Sequence, residues 1–289
     1  MKFNNTIVTN FEGAIRGMRN PKNSWNRSDS YFGIVDSYNN PGFEVVEAWA
    51  KKEKPELYKS DATIEQENEK IDLEDKYDDW LVKNGILKTC EDSIDGIAEI
   101  AYLGPNDLTL MQTLIKAGSE HRKFMRQIFV SVDITAPLYW WKEFDTYKVG
   151  TVANSTSTMH KLAETPITLE CFETDDMPDY FFMSKELRNS KVYYEAFINW
   201  LEELRLKYLE TNDKRYWKEL IRWLPESWLQ TRTVTMSYEN LFSIVFHRGY
   251  HKLKAEWCDG FIKWCTTLPY AKELIFYGEE REKIYNLYA

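Results

Sequence analysis

The sequence lacks any long apolar run. No stretch approaches 18 uninterrupted apolar residues, and the opening residues, MKFNNTIVTNFEG, contain no apolar core of the kind that a secretion signal carries. A membrane-spanning helix needs about 20 consecutive apolar residues. We therefore expect a soluble, cytoplasmic protein with no membrane partner.

The sequence also lacks paired cysteines and an excess of positive charge. No C-x-x-C pair is present, so neither a disulfide framework nor a thiolate zinc site is indicated. The net charge of -9 argues against a protein that coats nucleic acid, because that mode of binding needs a basic face. We expect no nucleic-acid partner and reduced thiols at all four cysteines: Cys90, Cys171, Cys258 and Cys265.

Hydrophobic and aromatic residues are plentiful, at 43% and 15% of the 289 residues. A chain of this length and composition can bury a substantial core. We expect a single domain over residues 1–289, with a variable polar segment near residues 51–79. The charge density of that segment is typical of a solvated helix and loop.

Local patterns in the first half predict a helix followed by a strand. NDLTLMQTLIKAG offers Asn106 or Asp107 as N-cap, apolar residues at helical spacing, and Gly118 as a stop. QIFVSVDITAP then alternates apolar and polar side chains up to Pro137, which is typical of a half-buried strand.

The second half is predicted to be mostly helical. A stripe of apolar residues between Tyr193 and Tyr208 favours one core-facing helix. The segment DKRYWKELIRWLP favours another helix that ends near Pro225. A long C-terminal helix is predicted to start at a Ser237 cap, with Trp257 and Phe261 in the core or in a subunit interface. The fold class is therefore α+β. The stripe consists of Tyr193, Phe197, Trp200, Leu201, Leu204 and Tyr208.

Two histidines of the predicted C-terminal helix, His247 and His251, are four residues apart and would share a face. Arg248 stands beside the first, and no glutamate separates them, so a metallohydrolase site is disfavoured and we expect no metal. Arg248, His251 and Lys252 lie within about one helical turn, so their cationic groups can converge on one anion.

A polar run interrupts the apolar sequence at YKVGTVANSTSTMHK, residues 147–161. Small hydroxyl and amide side chains rarely build a core, but they cap helices and bind phosphates and nucleotide edges. Small side chains also let the backbone approach a phosphate or a ring closely. The run is interpreted as a ligand-binding loop.

The segment LIRWLPESWLQTRTVTMSYENLFSIVFHRGYHKLKAEW resembles the C-terminal half of the flavin-dependent thymidylate synthases, the ThyX family. Arg222 precedes Leu-Pro, threonines fill the middle, and Arg248 falls at the arginine position of the helix. LMQTLIKAGSEHRKFMRQIFVSVDITAP is similar to the family's preceding helix, turn and strand. The polar run falls where the family has RHRxxSxNxxSxR, and the resemblance covers roughly residues 108–269.

The family signature is reduced in this chain. Asn154 and Ser157 keep its Asn-x-x-Ser spacing, while its first triplet corresponds to residues 147–149 or, with a slip of one residue, to 146–148. Lys148 is the one cation that survives there, and Met159 stands at the position of the final arginine.

The resemblance implies a ThyX-like antiparallel sheet with flanking helices and a homotetrameric assembly. It implies reductive methylation of dUMP, with methylenetetrahydrofolate as carbon donor, NADPH as reductant and FAD passing the hydride. Arg248 would be the catalytic group at the pyrimidine, and Arg222 and Ser157 would serve the phosphate. The residues implied to face the flavin are Lys148, Asn154, Arg126 and His251.

Three functions remain open on the sequence. The first is flavin-dependent thymidylate synthesis. The second is a relative that keeps the pyrimidine nucleotide site and performs another alkylation, such as hydroxymethylation. The third is a nucleotide-binding or assembly protein without catalysis.

Overall fold

A computed structural model describes residues 1–35, 51, 54–58, 63–83, 87–89, 98–157, 161–175 and 190–289. Met159 and Cys90 lie outside these residues. The described part of the chain mixes helices with antiparallel sheets, which confirms the α+β class. None of its helices combines the length and apolarity needed to cross a membrane.

The central sheet has four antiparallel strands in the order β1 (Lys2–Thr9), β5 (Phe129–Pro137), β7 (Leu229–Ser237) and β6 (Val152–Ser155). A smaller sheet has the order β2 (Tyr31–Val35), β4 (Ala98–Tyr102) and β3 (Leu87–Thr89). Strand β5 confirms the predicted alternation, since Val130, Val132 and Ile134 are at most 1% exposed while the residues between them face away from the core.

The described part of the chain contains nine α-helices. They are α1 (Phe11–Arg19), α2 (Ile64–Lys83), α3 (Pro105–Lys116), α4 (Leu138–Phe144), α5 (Ser190–Thr211), α6 (Lys214–Trp223), α7 (Tyr238–Arg248), α8 (Lys263–Thr266) and α9 (Glu279–Tyr288). Helix α2 confirms a helix within the polar segment.

The start of α3 differs from the prediction. The N-cap is Gly104, and Asp29 caps the helix from a distance by accepting hydrogen bonds from the backbone N–H groups of Asn106 and Asp107. The helix ends at Lys116, and Gly118 follows with φ of 105°, a left-handed conformation that favours glycine. The predicted stop is therefore confirmed.

The Asp107 side chain is fully buried and organises the loop that leads into β2. It accepts hydrogen bonds from Arg19 Nε at 2.6 Å, Ser28 Oγ at 2.6 Å and Ser30 Oγ at 2.7 Å. Burial alone would raise its pKa, but the hydrogen bonds from both serines and Arg19 outweigh burial, and the pKa is lowered. The carboxylate thus holds α3 to the loop between α1 and β2.

The predicted long C-terminal helix is wrong, because the chain leaves the helix after Arg248. A π-helical segment, Lys254–Ile262, begins six residues later and continues into α8. A Cβ atom on Gly249 would lie 2.5 Å from Ile284 Cδ1, so the break occurs where α9 packs closely against the backbone. The predicted Ser237 cap is confirmed by a capping box with Asn240.

The predicted apolar stripe of α5 is correct only in part. Leu201 is fully buried and Ile198, which the stripe omitted, is 3% exposed, whereas Tyr193 and Trp200 are 49% and 36% exposed. Helix α5 packs against α6 in a second hydrophobic cluster, separate from the main core. Its core-facing side is therefore narrower than the sequence stripe.

The main core contains a stack of aromatic rings. Trp140 and Phe144 of α4 pack against Trp257 and Phe261 of the π-helical segment, with ring centroids 4.9 to 5.9 Å apart. Trp257 and Phe261 are fully buried, which confirms the predicted core position.

We expect Phe261→Ala to lower the free energy of unfolding by about 3 to 5 kcal/mol, because it deletes a buried ring from this stack. Urea unfolding followed by circular dichroism measures the change. Leu209→Ala is the control, since Leu209 is 55% exposed and its truncation should cost less than about 0.5 kcal/mol. Equal unfolding midpoints for the two variants would contradict this assignment.

Candidate functional site

The polar run forms an edge strand rather than an open loop over part of its length. Strand β6 pairs with β7 so that Asn154 lies opposite Thr233, and all four β6 residues are exposed. The run then continues along β7, where Thr156 N donates to Thr231 O at 2.9 Å. Hydroxyl and amide side chains suit a strand that is exposed at a sheet edge.

The start of the run is fastened to the end of α7. Arg248 Nε donates to the Tyr147 hydroxyl at 2.8 Å, and Arg248 Nη1 donates to Glu143 Oε2 at 2.9 Å. The guanidinium also lies over the Trp257 ring, 4.7 Å from its centroid. These contacts join segments about 100 residues apart in sequence.

Glu143 Oε2 is the anion that Arg248 contacts, and two ring N–H groups also face it. It accepts hydrogen bonds from Arg248 Nη1 and from Trp257 Nε1 at 3.0 Å, and His251 Nε2 lies 3.4 Å away. Arg248 and His251 were expected to converge on an anion, and here that anion belongs to the protein itself. Lys252 is exposed and joins no such contact within the described residues.

His251 is fixed by a second contact that indicates its tautomer. Its Nδ1 accepts a hydrogen bond from Leu253 N at 3.2 Å, which leaves the Nε2 proton facing Glu143. Burial lowers the pKa of His251, and the neighbouring Glu143 carboxylate opposes that shift.

His247 does not share a face with His251, because α7 ends between them. His247 Nδ1 contacts Ser243 O, one turn back on the same helix. Across the described ranges, no group of three or more His, Cys, Asp or Glu side chains is placed to hold a metal ion.

The N-terminal end of α7 also forms a hydrogen bond to the run. Asn240, which completes the capping box, donates from Nδ2 to Val149 O at 2.8 Å. Thr151 Oγ1 donates to Tyr147 O at 2.8 Å, closing the turn from within. Both ends of one helix therefore position residues 147–151.

Two residues of this region escaped the sequence prediction. Glu143 stands four residues before Tyr147, a spacing that places both on one side of a helical turn, and this was the available signal. Arg232 ion-pairs with Asp145 at 2.8 Å and stacks over Trp141, 4.3 Å from the ring centroid. Its partner is distant in sequence, so no local pattern could reveal it.

The predicted residues lie at different places. Lys148 is exposed in the turn that precedes β6, and Ser157 follows β6, where its carbonyl accepts from Lys161 N. Arg222 lies on α6 in an exposed ion pair with Glu219, and Arg126 is exposed at the end of the 3-10 turn Arg122–Arg126. Within the described residues, neither of these arginines hydrogen-bonds to Arg248.

A separate polar cluster involves Glu256, from the KAEW segment. Its buried carboxylate accepts a hydrogen bond from the Tyr139 hydroxyl. Tyr139 also interacts with Glu173, whose pKa is raised by burial first and then by the nearby Glu256 and Asp175 carboxylates. Glu256 thus has a contact role between α4 and the segment near residue 173.

No protein-family model matches the sequence, and no curated protein matches it. Two solved structures of ThyX, a flavin dependent thymidylate synthase from Helicobacter pylori, are similar to the chain, and both contain FAD and dUMP. The first has 16% identity, a TM-score of 0.42, and coverage of 65% of this chain and 86% of that one. The second has 15% identity, a TM-score of 0.43, and coverage of 62% and 85%.

We expect Glu143→Gln to lower the free energy of unfolding by about 1 to 3 kcal/mol, because it leaves the half-buried Arg248 without its counter-charge. It should also lower the pKa of His251 further, since the Glu143 charge opposes the effect of burial. Urea unfolding and an NMR titration of the histidines measure the two effects.

Glu226→Gln is the matched control. Glu226 pairs with Lys142 on the surface, where both side chains are more than half exposed, and such pairs contribute about 0 to 1 kcal/mol. A His251 titration that is the same in Glu143→Gln and in the wild-type protein would refute the electrostatic contact.

Proposed function

We propose that the chain binds a pyrimidine nucleotide beside Arg248 and acts as a flavin-dependent thymidylate synthase. The reaction is reductive methylation of dUMP with methylenetetrahydrofolate and NADPH. The observation that carries the proposal is the 2.8 Å hydrogen bond between Arg248 Nε and the Tyr147 hydroxyl. It brings together the two segments in which the sequence resembles the family, as a shared site requires.

The arrangement of Arg248 supports the pyrimidine assignment. Its described contacts use Nε and Nη1, and its side chain is 18% exposed, so the Nη2 edge of the fork has donors for a ligand carbonyl. A planar guanidinium fixed by Glu143 and Trp257 can hold a pyrimidine edge in one orientation. Arg222 and Ser157 are the proposed phosphate ligands.

FAD, when bound, would pass the hydride from NADPH that the reductive methylation requires. Lys148, Asn154, Arg126 and His251 are the residues proposed to hold it. Lys148 is the one lysine or arginine between residues 145 and 157, and it is exposed. The ammonium group of Lys148 suits a phosphate group, and the amide of Asn154 suits a ring edge.

The single lysine in residues 145–157 favours a second candidate function. A flavin pyrophosphate carries two negative charges, whereas residues 145–157 offer one lysine against Asp145, which is paired with Arg232. The second candidate therefore keeps the pyrimidine nucleotide site and either catalyses another alkylation, such as hydroxymethylation, or binds without catalysis.

Two measurements on the purified protein separate these functions. Visible flavin absorbance, together with dTMP formation from dUMP when methylenetetrahydrofolate and NADPH are supplied, supports the first. Nucleotide binding by a colourless protein, with no dTMP formed after FAD is added, supports the second. Light scattering tests the proposed homotetramer.

We expect Arg248→Lys to weaken dUMP binding by at least about tenfold, because an ammonium group cannot reproduce the planar donor fork. The lysine keeps a positive charge near Glu143, so the fold should persist. Calorimetric titration measures the affinity, and circular dichroism checks the fold. Arg215→Lys is the control, because Arg215 is exposed, pairs with Asp213 and is not assigned to the site. Unchanged dUMP affinity in folded Arg248→Lys protein would refute the placement.

Single substitutions in the polar run should affect its two proposed ligands, FAD and dUMP, separately. Lys148→Ala should weaken FAD binding by more than about tenfold, because it removes a charge-assisted contact, and should leave dUMP binding unchanged. Ser157→Ala should show the reverse pattern. Fluorescence quenching measures FAD binding, and calorimetry measures dUMP binding. Equal losses of both ligands in each variant, or no loss at all, would refute a run that serves two ligands.

A further inference from the structure

The described residues form a cavity that Arg248 does not line. It has a volume of about 1300 Å³ and lies between the end of α1 with the turns that follow it, α3, and the turn at residues 120–127. None of the residues assigned above to the nucleotide or flavin site is among the described residues that line it. Ligand pockets in proteins commonly measure about 300 to 1,000 Å³, so this cavity can admit a ligand of nucleotide size.

The charge of this cavity is opposite to that of the whole chain. Arg19 is neutralised by the buried Asp107, and Lys123 pairs with Glu120 at 3.4 Å. Lys22 and Arg27 also line the cavity, and neither has an ion-pair partner among the described residues. These two cations make the cavity locally positive in a chain with a net charge of -9.

Amide side chains are unusually frequent along the same walls. Amide groups present donors and acceptors together, which match the edges of nucleobases, whereas a bare phosphate uses only donors. The amides that line the cavity are Asn20, Asn23, Asn26, Asn106 and Gln127.

The wall that carries the two cations is built by local structure. Two 3-10 turns, Asn20–Lys22 and Trp25–Arg27, are joined through Asn23, which has φ of 48°. Trp25 Nε1 donates to Asn20 Oδ1 at 2.8 Å. Arg19 Nη1 donates to Ser24 O at 3.1 Å, which ties the turns to the buried Asp107 pair. These hydrogen bonds therefore support the wall that carries Lys22 and Arg27.

We propose that this cavity binds a phosphorylated nucleotide, with Lys22 and Arg27 on the phosphates and the amides on the base. The site is separate from the proposed pyrimidine nucleotide site at Arg248. Charged hydrogen bonds to phosphate supply the affinity, and paired amide donors and acceptors supply the preference for a nucleotide over inorganic phosphate.

The test is calorimetric titration of the full chain with three probes: ADP, inorganic pyrophosphate and adenosine. ADP should bind more tightly than either pyrophosphate or adenosine. The double variant Lys22→Ala/Arg27→Ala should lose at least about tenfold in ADP affinity. Lys207→Ala/Lys283→Ala is the control with the same change in net charge, since both lysines lie on exposed helix surfaces and neither lines the cavity.

Further titrations identify the site and the ligand class. ADP affinity should be unchanged in Arg248→Lys and in the presence of saturating dUMP. Loss of ADP binding under either condition would overturn a separate site. Equal affinity for pyrophosphate and ADP would overturn the role of the amides, and equal losses in the two double variants would overturn the role of Lys22 and Arg27. Tighter binding of a single-stranded oligonucleotide than of ADP would overturn the assignment to a small nucleotide.

Discussion

The carboxylate of Glu143 is the contact on which the arrangement of the candidate site depends. One of its oxygens receives donors from Arg248 and Trp257 and faces His251, so three elements meet at one atom. A half-buried guanidinium needs such a partner, because removing a charge from water without compensation costs several kcal/mol. The Glu143–Arg248 ion pair and the Trp257 hydrogen bond thereby hold α4, the end of α7 and the π-helical segment together.

The same physical logic operates at the loop between α1 and β2. Asp107 is fully buried and is compensated by Arg19 and two serine hydroxyls, which fixes the loop between α1 and β2 to α3. In both places a long connection is ordered by polar donors that converge on one carboxylate, not by apolar packing alone. Each carboxylate also lies beside a region to which we assign a ligand. Glu143 and Asp107 therefore help to position the cations that we assign to those ligands.

The placement of charge explains how an acidic protein can offer anion sites. The net charge of -9 disfavours general attraction of phosphates, yet particular cations are kept near the surface by fixed neighbours. Arg248 is oriented by Glu143 and Tyr147, while Lys22 and Arg27 stand on a wall supported by Arg19. Affinity at such sites depends on geometry and not on the overall potential.

The sequence by itself determined the local elements, because period and capping are properties of neighbouring residues. The alternation around Val132 gave a strand, the Ser237 cap gave the start of α7, and Gly118 gave the stop after α3. The burial of Trp257 and Phe261 also followed from their spacing and size.

Only the tertiary structure decided where the second half breaks and which charges meet. The apolar pattern would have continued the helix past Arg248, but the helix ends beside Gly249, where Ile284 packs closely. A pattern within one segment holds no information about a distant one. Glu143 and Arg248, 105 residues apart, pair for the same reason: ion pairs form in space, after the sheet and the aromatic stack have brought their segments together.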